Sequence, residues 1–236
     1  MKAVILAGGM GKRLRPLTDD RPKAMIEIQS VPIIERQIRW LSKLGIKEII
    51  VCVGHLKERI IEHLNDGQEY DVVVKYVAEK EPLGTGGALR NAKKSIIANS
   101  QDKGFFVING DILTDINPLT LIDLGSNSIA LVNLRSTFGI VETVDNIVSH
   151  FVEKPAIHDK WINAGIYYFS ADVFQYLPEF GNFEITALPS LAKERKLKAL
   201  KYPNNYWRSI DSHKDVEEAT EELAQKVKTN KQTNEL

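Results

Sequence analysis

Short apolar runs alternate with segments of helical periodicity along the first half of the chain, and few folds accommodate that order. The apolar runs are rich in Val, Ile and Phe, and they predict strands over 3–6, 48–53, 72–77 and 105–108. Apolar residues recur at helical spacing between them, which predicts helices over 33–44, 56–64 and 86–98. This alternation predicts an α/β protein with a mostly parallel sheet covered on both faces.

The second half of the chain has a different order of predicted strands and helices, although no Pro-, Gly- or Ser-rich linker separates it from the first half. Segments 138–142 and 147–152 predict a hairpin around Asp145-Asn146, and a further strand is predicted over 162–169. Helices are predicted over 171–176, 186–196 and 213–227, with a frayed tail over 228–236. We therefore expect a single domain over 1–236, in which 135–236 forms a lobe continuous with the sheet of 1–134.

Charge and composition argue against several kinds of partner. Lys plus Arg number 31 and Asp plus Glu number 31, so the formal net charge is zero, whereas nucleic acids and anionic membranes favour a basic excess. We expect neither as a partner. No stretch is apolar enough to span a bilayer, and the amino terminus leads into a strand and not a signal peptide, which predicts a cytoplasmic protein. Cys52 is expected to be a buried thiol in a reducing compartment.

A glycine-rich turn with several cations follows the first predicted strand. Its members are Gly8, Gly9, Gly11, Lys12, Arg13, Arg15 and Lys23. Consecutive amides with nearby cations form a site for an anion such as phosphate. A Walker A loop is excluded because Leu6 replaces its first glycine, and a dinucleotide fingerprint is excluded because Leu14 replaces its last. A plain turn with solvated cations is the alternative, but four cations closing with Pro22-Lys23 favour a phosphate site.

The same stretch resembles the signature of an enzyme family. Residues 8–18 with Pro22-Lys23 are similar to the signature of the sugar-nucleotide pyrophosphorylases, or NTP:sugar-1-phosphate nucleotidyltransferases, and the resemblance extends from Met1 to roughly the helix after Asp211. It implies a Rossmann-like three-layer α/β fold with a mixed, mostly parallel central sheet. It also implies a nucleotide-binding half at 1–134, a sugar-phosphate-binding half at 135–236, and Mg²⁺ as cofactor. The hexapeptide repeats of longer members, which form a C-terminal β-helix, are missing, so acetyltransferase activity is not expected.

The implied reaction transfers a nucleotidyl group from an NTP to a sugar 1-phosphate and releases pyrophosphate. Segment 81–87 and the short length most resemble mannose-1-phosphate guanylyltransferases, so GTP and mannose 1-phosphate are the expected substrates. Glucose-1-phosphate uridylyl- or thymidylyltransferases and heptose-1-phosphate guanylyltransferases are alternatives. A silent, nucleotide-sugar-sensing homologue is an alternative of another class, but it would be expected to lack one of the expected catalytic residues, which are Arg13, Lys23, Asp111 and Lys154. A homodimer is a further expectation for a short member.

Two aspartates are candidate ligands for Mg²⁺. Asp111 follows a predicted strand, from which a carboxylate reaches a cation at the sheet edge, and it matches the family's first metal aspartate. Its alternative role is a hydrogen bond within its own turn. Asp211 ends a segment that resembles the family's second metal-binding segment, although Ser209 stands where Asp is usual. The alternative role of Asp211 is the N-cap of the following helix. Arg13 is expected to brace pyrophosphate, and Lys23 the α-phosphate.

The sugar phosphate is expected to bind around the predicted hairpin. The family places a lysine here to grip the phosphate, and Lys154 matches it, with Glu153 expected to bind sugar hydroxyls. A solvated Glu–Lys pair is the alternative. Further candidates are Gly139, Asn163, Gly165, Glu184 and Thr186, of which the last two are also typical helix-start residues.

In the family that this chain resembles, the matching segment contacts the nucleobase, which implies the same role for segment 81–89. Small residues there leave room for a planar ring. Glu79 or Glu81 would accept hydrogen bonds from the N1–H and N2 amine of guanine, which uracil and thymine lack. The nucleotide-binding candidates are Leu6, Gly8, Gly9, Gly11, Glu81, Gly84, Thr85 and Gly110.

Overall fold

The computed structural model describes residues 1–98 and 102–233. Its strands are β1 (Lys2–Ala7), β2 (Glu27–Ile28), β3 (Val31–Pro32), β4 (Glu48–Val53), β5 (Val73–Ala78), β6 (Phe105–Asn109), β7 (Ile112–Thr114), β8 (Ser128–Arg135), β9 (Ile140–Val144), β10 (Ile147–Val152), β11 (Ala156–Phe169), β12 (Lys198–Lys201) and β13 (Trp207–Ser209). Its α-helices are α1 (Ile33–Lys43), α2 (Lys57–Leu64), α3 (Gly84–Asn91), α4 (Lys93–Ile97), α5 (Ala187–Lys193) and α6 (His213–Thr233).

Seven strands form the central sheet, in the order β12-β8-β11-β6-β1-β4-β5. β11 is antiparallel to its neighbours β8 and β6, whereas the other four pairs are parallel. The prediction of a mixed, mostly parallel sheet is therefore confirmed. Strands from both sides of residue 134 belong to this one sheet, so the two halves of the chain share a scaffold.

Side chains on the two faces of the sheet belong to two separate apolar clusters. In β1, Ile5 joins a cluster with Ile38 and Leu41 of α1, whereas Val4 joins a second cluster with Leu89 of α3. All five side chains are 0% exposed. Because consecutive strand residues face opposite sides, β1 supports both layers at once. Burial of each such side chain contributes about 1.5–3 kcal/mol to folding stability. The loops that leave β1 are therefore attached to a well-packed strand.

The structure corrects three predicted boundaries. The helix expected over 86–98 begins at Gly84 and is divided at Ala92 into α3 and α4. The strand expected over 162–169 begins at Ala156, because its early part pairs with β8 before the register shifts. The tail expected to fray from 228 remains in α6 as far as Thr233, since no Gly or Pro ends the helix; 234–236 lie outside the described residues.

Two strands of the central sheet were not predicted at all. β8 pairs with β11 and β12, and β12 is a short edge strand with three exposed residues out of four. An edge strand of this kind lacks the apolar alternation by which a strand is recognised in sequence. Among the described residues, no helix combines the length and the hydropathy needed to cross a membrane.

Candidate functional site

Three loops converge where parallel strands β1, β4 and β6 end. The amide of Gly110, after β6, donates to the carbonyl of Leu6 in β1 at 3.0 Å. A Cβ on Gly110 would lie 2.5 Å from that same carbonyl, and one on Gly54, after β4, would lie 3.0 Å from the carbonyl of Gly8. Only glycine allows backbones to approach this closely. Loops that follow parallel strands gather at one edge in this way in other α/β sheets.

The glycine-rich turn is shaped by Gly11, which has a φ of +61°. A Cβ there would lie 2.8 Å from Thr18 Cγ2, and the Thr18 hydroxyl donates to the carbonyl of Gly11 at 2.9 Å. The short 3-10 turn Lys12–Leu14 follows, in which Leu14 is buried while the Arg13 side chain is 78% exposed. The buried leucine therefore anchors the turn and leaves the guanidinium facing outward.

Four predicted site residues meet in one ion-paired cluster. The ammonium of Lys23 lies 2.7 Å from Asp111 Oδ2 and 2.9 Å from Asp211 Oδ1, and its side chain is 15% exposed. The Arg13 guanidinium lies 2.7 Å from the same Asp211 oxygen. Lys23 and Asp211 are separated by 188 residues, so the fold itself brings these charges together. We call Arg13, Lys23, Asp111 and Asp211 the charge cluster.

The charge cluster favours its ionised forms. Burial lowers the pKa of Lys23, but the Asp111 and Asp211 carboxylates outweigh burial and raise it above its ordinary value. Burial raises the pKa of Asp211, but the Lys23 ammonium and the Ser209 hydroxyl, with Arg13 nearby, bring it below its ordinary value. Both shifts keep the pair charged at neutral pH, so cations and carboxylates face the same edge of the sheet together.

Asp211 is not used as a helix cap. Ser212 precedes α6, and its hydroxyl accepts a hydrogen bond from the amide of Asp215 at 3.3 Å. The Asp215 carboxylate in turn accepts from the amide of Ser212 at 2.8 Å, which completes a reciprocal capping box. The Asp211 side chain is thereby free of the capping role and is directed to Lys23 and Arg13.

The loop that carries Asp111 is supported by a residue that sequence reasoning missed. Gln37 of α1 is 3% exposed, and its amide nitrogen donates to the carbonyls of Asn109 at 2.8 Å and Ile112 at 2.9 Å. One side chain therefore ties the two ends of the Asn109–Ile112 loop together. In sequence Gln37 is an isolated polar residue in an amphipathic helix, and its position between Ile34 and Ile38 on the buried face is the only available signal.

On the expected nucleobase side, Glu79 and not Glu81 approaches the glycine-rich turn. A Cβ on Gly8 would lie 2.7 Å from Glu79 Oε1, and Glu79 Oε2 accepts from the amide of Leu83 at 3.0 Å. Burial raises the pKa of Glu79 above its ordinary value, although the Leu83 hydrogen bond opposes that rise. Glu81 is exposed. Glu79 therefore has the better position for contact with a bound base.

The start of α3 is held by the segment before α5. A Cβ on Gly84, whose φ is +73°, would lie 2.7 Å from the backbone of Gly181. The Thr85 hydroxyl donates to the Glu184 carboxylate and accepts from the amide of Phe183. Thr85 and Glu184, predicted for opposite halves of the site, are thus direct neighbours. Thr186 instead donates to the carbonyl of Asn182, which closes a local turn.

The expected sugar-phosphate residues lie around the base of the β9–β10 hairpin. A Cβ on Gly139 would lie 3.0 Å from Glu153 Oε2, so these two residues are adjacent. The Lys154 ammonium lies 3.6 Å from Glu153 Oε1, and Lys154 has a φ of +47°. Its side chain lies beside that of Lys214 in α6, which sequence reasoning missed. Two adjacent cations attract an anion such as phosphate, and Lys214 lies only three residues after Asp211.

Asn163 and Gly165 lie at an irregular point of β11, where the register shifts. The Asn163 amide donates to the Tyr167 hydroxyl at 2.6 Å and accepts from the amide of Gly165 at 2.9 Å, so both ends of the amide are occupied within the strand. Gly165 has a φ of +69°, and a Cβ there would lie 2.9 Å from the Asn109 side chain. Gly165 thereby leaves room for Asn109 next to the Asp111 loop.

The charge cluster has the donor set that Mg²⁺ requires. Among the described residues, no group of three or more His, Cys, Asp and Glu side chains could hold a metal ion alone. Mg²⁺ is usually bound by one or two carboxylates together with substrate phosphates and water. Asp111 and Asp211 converge on a single cationic atom, Lys23 Nζ, so two carboxylates of this chain already share a point that suits a cation. A cavity of about 60 Å³ opens beside it, lined by Leu6, Ala7, Gly9, Lys23, Ala24, Gly110 and Asp111.

The fold and the charge cluster define an α/β protein with clustered cations and carboxylates at the carboxyl ends of its strands. A family model described as Nucleotidyl transferase matches residues 2–226. The chain belongs to the nucleotidyl transferase family, which confirms the resemblance found in the glycine-rich turn.

Known relatives within the family differ in their names. A protein of Methanococcus maripaludis named Bifunctional protein GlmU is 35% identical, over 96% of this chain and 55% of its own length. A protein of Oryza sativa named Probable mannose-1-phosphate guanylyltransferase 2 is 32% identical, over 91% of this chain and 62% of its own. This chain thus spans little more than half of those relatives. The crystal structure of HddC from Yersinia pseudotuberculosis is 30% identical with a TM-score of 0.72, over 94% of this chain and 99% of that chain.

Proposed function

We propose that this chain transfers a nucleotidyl group from an NTP to a sugar 1-phosphate, forming an NDP-sugar and pyrophosphate. The charge cluster is the observation that carries the proposal, because it places two cations and two carboxylates at the edge where nucleotide phosphates bind in α/β sheets. Nucleotide binding is assigned to 1–134 and sugar-phosphate binding to 135–236.

The reaction needs positioned charge more than a covalent nucleophile. An oxygen of the sugar 1-phosphate forms a bond to the α-phosphorus, the bond from that phosphorus to the bridging oxygen breaks, and pyrophosphate leaves with the electron pair. Charge stabilisation supplies most of the catalysis in such transfers. Arg13 braces the leaving pyrophosphate and Lys23 the α-phosphate, which suits an exposed guanidinium beside a buried ammonium. Asp111 and Asp211 would hold Mg²⁺, which neutralises phosphate charge when bound.

The attacking phosphate is assigned to Lys154. The side chain of Lys214 lies beside it, so two cations are close together, and Glu153 lies 3.6 Å away to accept hydrogen bonds from sugar hydroxyls. Gly139 offers a backbone amide beside Glu153. This pairing of phosphate-binding cations with a hydroxyl-binding carboxylate is suited to a phosphorylated sugar.

GTP and mannose 1-phosphate are the proposed substrates. The half-buried carboxylate of Glu79 beside Gly8 is suited to the N1–H and N2 amine of guanine. A second structure of HddC is titled as complexed with GMP-PN, and relatives from rice and Xenopus laevis carry the name mannose-1-phosphate guanylyltransferase or guanyltransferase. The alternatives are heptose 1-phosphate with GTP, and glucose 1-phosphate with UTP or dTTP.

The proposal is tested by measuring pyrophosphate release from the purified chain. GTP, ATP, CTP, UTP and dTTP are each combined with mannose, glucose, galactose and heptose 1-phosphates, with and without Mg²⁺. We expect the fastest release with GTP and mannose 1-phosphate. Fast release with another pair would still support the proposed transfer reaction, but it would change the proposed substrates. Binding of an NDP-sugar without turnover of any pair would contradict the proposal and favour the nucleotide-sugar-sensing homologue.

A further inference from the structure

The guanidinium of Arg208 in β13 joins that strand to α6, and its side chain is 14% exposed. Nε and Nη2 donate to the two oxygens of Glu222 at 3.0 and 2.6 Å, and Nη1 donates to Glu218 at 2.8 Å. Nη1 also lies 3.6 Å from Asp215 Oδ1. Because these three acidic positions fall on one face of a helix, a single guanidinium holds about two turns of α6.

Arg208 keeps its charge among these carboxylates. Burial lowers the pKa of the guanidinium, but the Glu222 and Glu218 carboxylates outweigh burial and raise it above its ordinary value. The planar fork of an arginine donates two parallel hydrogen bonds to one carboxylate and leaves a further nitrogen for another. Without that fork, three negative charges would repel one another along one helix face. The placement of the start of α6 on β13 therefore depends on Arg208.

One route of contacts leads from Arg208 to Asp211. Oδ1 of Asp215 faces Arg208, and Oδ2 of Asp215 accepts from the amides of Asp211 at 3.0 Å and Ser212 at 2.8 Å. The carboxylate that fixes the backbone of Asp211 is thus itself beside the guanidinium. Asp211 contacts both cations of the charge cluster, so its placement affects the whole of the proposed metal site.

A second route leads from Arg208 to the proposed sugar-phosphate site. Oε2 of Glu218 accepts from Arg208, and Oε1 of Glu218 lies 3.7 Å from the ammonium of Lys214. Lys214 in turn lies beside Lys154, to which the attacking phosphate is assigned. Arg208 therefore also fixes the carboxylate that holds the second of these two cations.

We propose that Arg208 is a positioning residue that sets Asp211 and Lys214 at the same time. Asp215 transmits its effect to the first of these residues and Glu218 to the second. This role rests on the proposed function, which assigns Asp211 to Mg²⁺ and the lysine pair to the sugar phosphate. One guanidinium outside the site thereby aligns the metal side with the sugar-phosphate side, and its loss changes both.

Arg208→Met tests the proposal, because methionine keeps an unbranched apolar side chain without the charge. The Mg²⁺ concentration for half-maximal pyrophosphate release and KM for the sugar 1-phosphate should each rise by about 10-fold, since catalysis is sensitive to small displacements of positioned groups. KM for the nucleotide should stay unchanged. The fold should persist, because α6 is also held by Ala219, which is fully buried in an apolar cluster with Leu14 and Ile28.

Arg135→Met is the matched control. Arg135 pairs with the same Glu222 at 3.5 Å, but it belongs to neither route. Arg135→Met should therefore leave the Mg²⁺ concentration for half-maximal rate and both KM values unchanged. If it changes them as strongly as Arg208→Met, the effect comes from Glu222 alone and the two routes are refuted.

Further variants separate the two routes. Asp215→Ala should raise only the Mg²⁺ concentration for half-maximal rate, and Glu218→Ala should raise only KM for the sugar 1-phosphate. In the double variant Arg208→Met with Lys214→Ala, KM for the sugar 1-phosphate should equal that of Lys214→Ala alone, because residues that act through one another are not additive. Additive effects would contradict the second route.

Amide hydrogen exchange, measured by NMR on the full chain, provides a readout that needs no turnover. Arg208→Met should speed exchange of the Asp211 and Ser212 amides by about 10-fold, because the Asp215 carboxylate that accepts from them loses its cation. Arg135→Met should not change their exchange. Wild-type exchange in Arg208→Met would overturn the proposal, and so would a destabilised Arg208→Met that keeps wild-type kinetic constants.

Failure of the proposed function would be seen separately, in the wild type. A wild type that releases no pyrophosphate from any pair of substrates refutes the nucleotidyl transfer reaction. The exchange rates of the Asp211 and Ser212 amides would then decide by themselves whether Arg208 holds Asp211 in position.

Discussion

The two sides of the proposed site are built in contrasting ways. On the nucleotide side, Lys23 is 15% exposed and contacts two carboxylates, while Gly110 is hydrogen-bonded to β1 beneath it. On the sugar side, Lys154 is 40% exposed and Glu153 is 61% exposed, and both follow the exposed strands of the β9–β10 hairpin. A preorganised set of charges chiefly lowers the barrier of the reaction, whereas we expect an exposed cation to act chiefly on substrate affinity. Substitutions on the two sides should therefore change different kinetic constants.

Asp111→Asn gives the largest expected effect and tests the nucleotide side. The substitution removes one of the two carboxylates around Lys23, so kcat should fall by about 1,000-fold or more, and the dependence of the remaining rate on Mg²⁺ should weaken. Initial rates of pyrophosphate release across a Mg²⁺ titration measure both. Lys23 keeps its contact with Asp211, so the fold is expected to persist, as circular dichroism would verify.

Asp115→Asn is the matched control for that experiment. Asp115 also has an ion pair, with Lys226 at 2.7 Å, and lies four residues further along the chain. Loss of the Asp115–Lys226 ion pair should leave kcat and the Mg²⁺ dependence of the rate unchanged. If Asp111→Asn behaves in the same way as this control, the nucleotide side does not hold the metal and the contrast between the two sides fails.

Lys154→Ala tests the sugar side. Removing one charge-assisted contact to phosphate costs about 1.5–3 kcal/mol, so KM for the sugar 1-phosphate should rise by roughly 10- to 100-fold while KM for the nucleotide stays unchanged. Steady-state kinetics with each substrate varied in turn provide the measurement. Lys160→Ala is the control, because Lys160 is also an exposed lysine paired with the acidic residue before it, Asp159. A kcat loss without a KM change would show that Lys154 acts on the barrier, as the nucleotide side does.

Sequence predicted the parts of the nucleotide side that depend on local patterns. The apolar strands 3–6, 48–53 and 105–108 were recognised by composition, and the convergence of their loops follows from parallel pairing alone. Contacts between distant segments have no such signal. The Lys23–Asp211 pair spans 188 residues, and the capping box that releases Asp211 could be chosen over an Asp211 cap only once the side chains were placed.

Less of the sugar side could be predicted. The hairpin was recognised from its turn residues, but Lys214 had no signal because it belongs to a polar helix in which charged residues are common. Asn163 stays a candidate for ligand contact, and its amide also hydrogen-bonds to Tyr167 and Gly165 in the irregular part of β11, which no sequence pattern predicts. Irregular strands and exposed cations are set by tertiary contacts, which a single sequence does not encode locally.

Gln37→Leu tests how firmly the nucleotide side is held. The substitution leaves the carbonyls of Asn109 and Ile112 without their buried donor, which should lower the free energy of unfolding by about 2 kcal/mol. Because the Asp111 loop loses the two hydrogen bonds that Gln37 donates to it, kcat should fall by about 10-fold. More Mg²⁺ should also be needed for half-maximal rate. Thermal denaturation and a Mg²⁺ titration measure the two effects separately.

Trp40→Phe is the control for Gln37. The Trp40 indole, also on α1, donates to the carbonyl of Ile116 at 3.0 Å, beyond the Asp111 loop. The Trp40→Phe substitution should lower the free energy of unfolding without changing the Mg²⁺ concentration needed for half-maximal rate. A Gln37→Leu variant that is destabilised but otherwise kinetically normal would assign Gln37 a purely structural role.

Glu79→Gln has the smallest expected effect and separates base recognition from phosphate chemistry. The amide has one acceptor oxygen where the carboxylate has two, so the ratio of kcat/KM for GTP over UTP should fall by about 5-fold, close to the loss of one neutral hydrogen bond. Because burial raises the pKa of Glu79, the carboxyl gains its proton as pH falls through that raised value, and the wild type should lose GTP preference there. The variant should show no such pH dependence. Glu81→Gln, at an exposed position, should match the wild type at every pH; if it alone changes the ratio, the base contacts Glu81 and not Glu79.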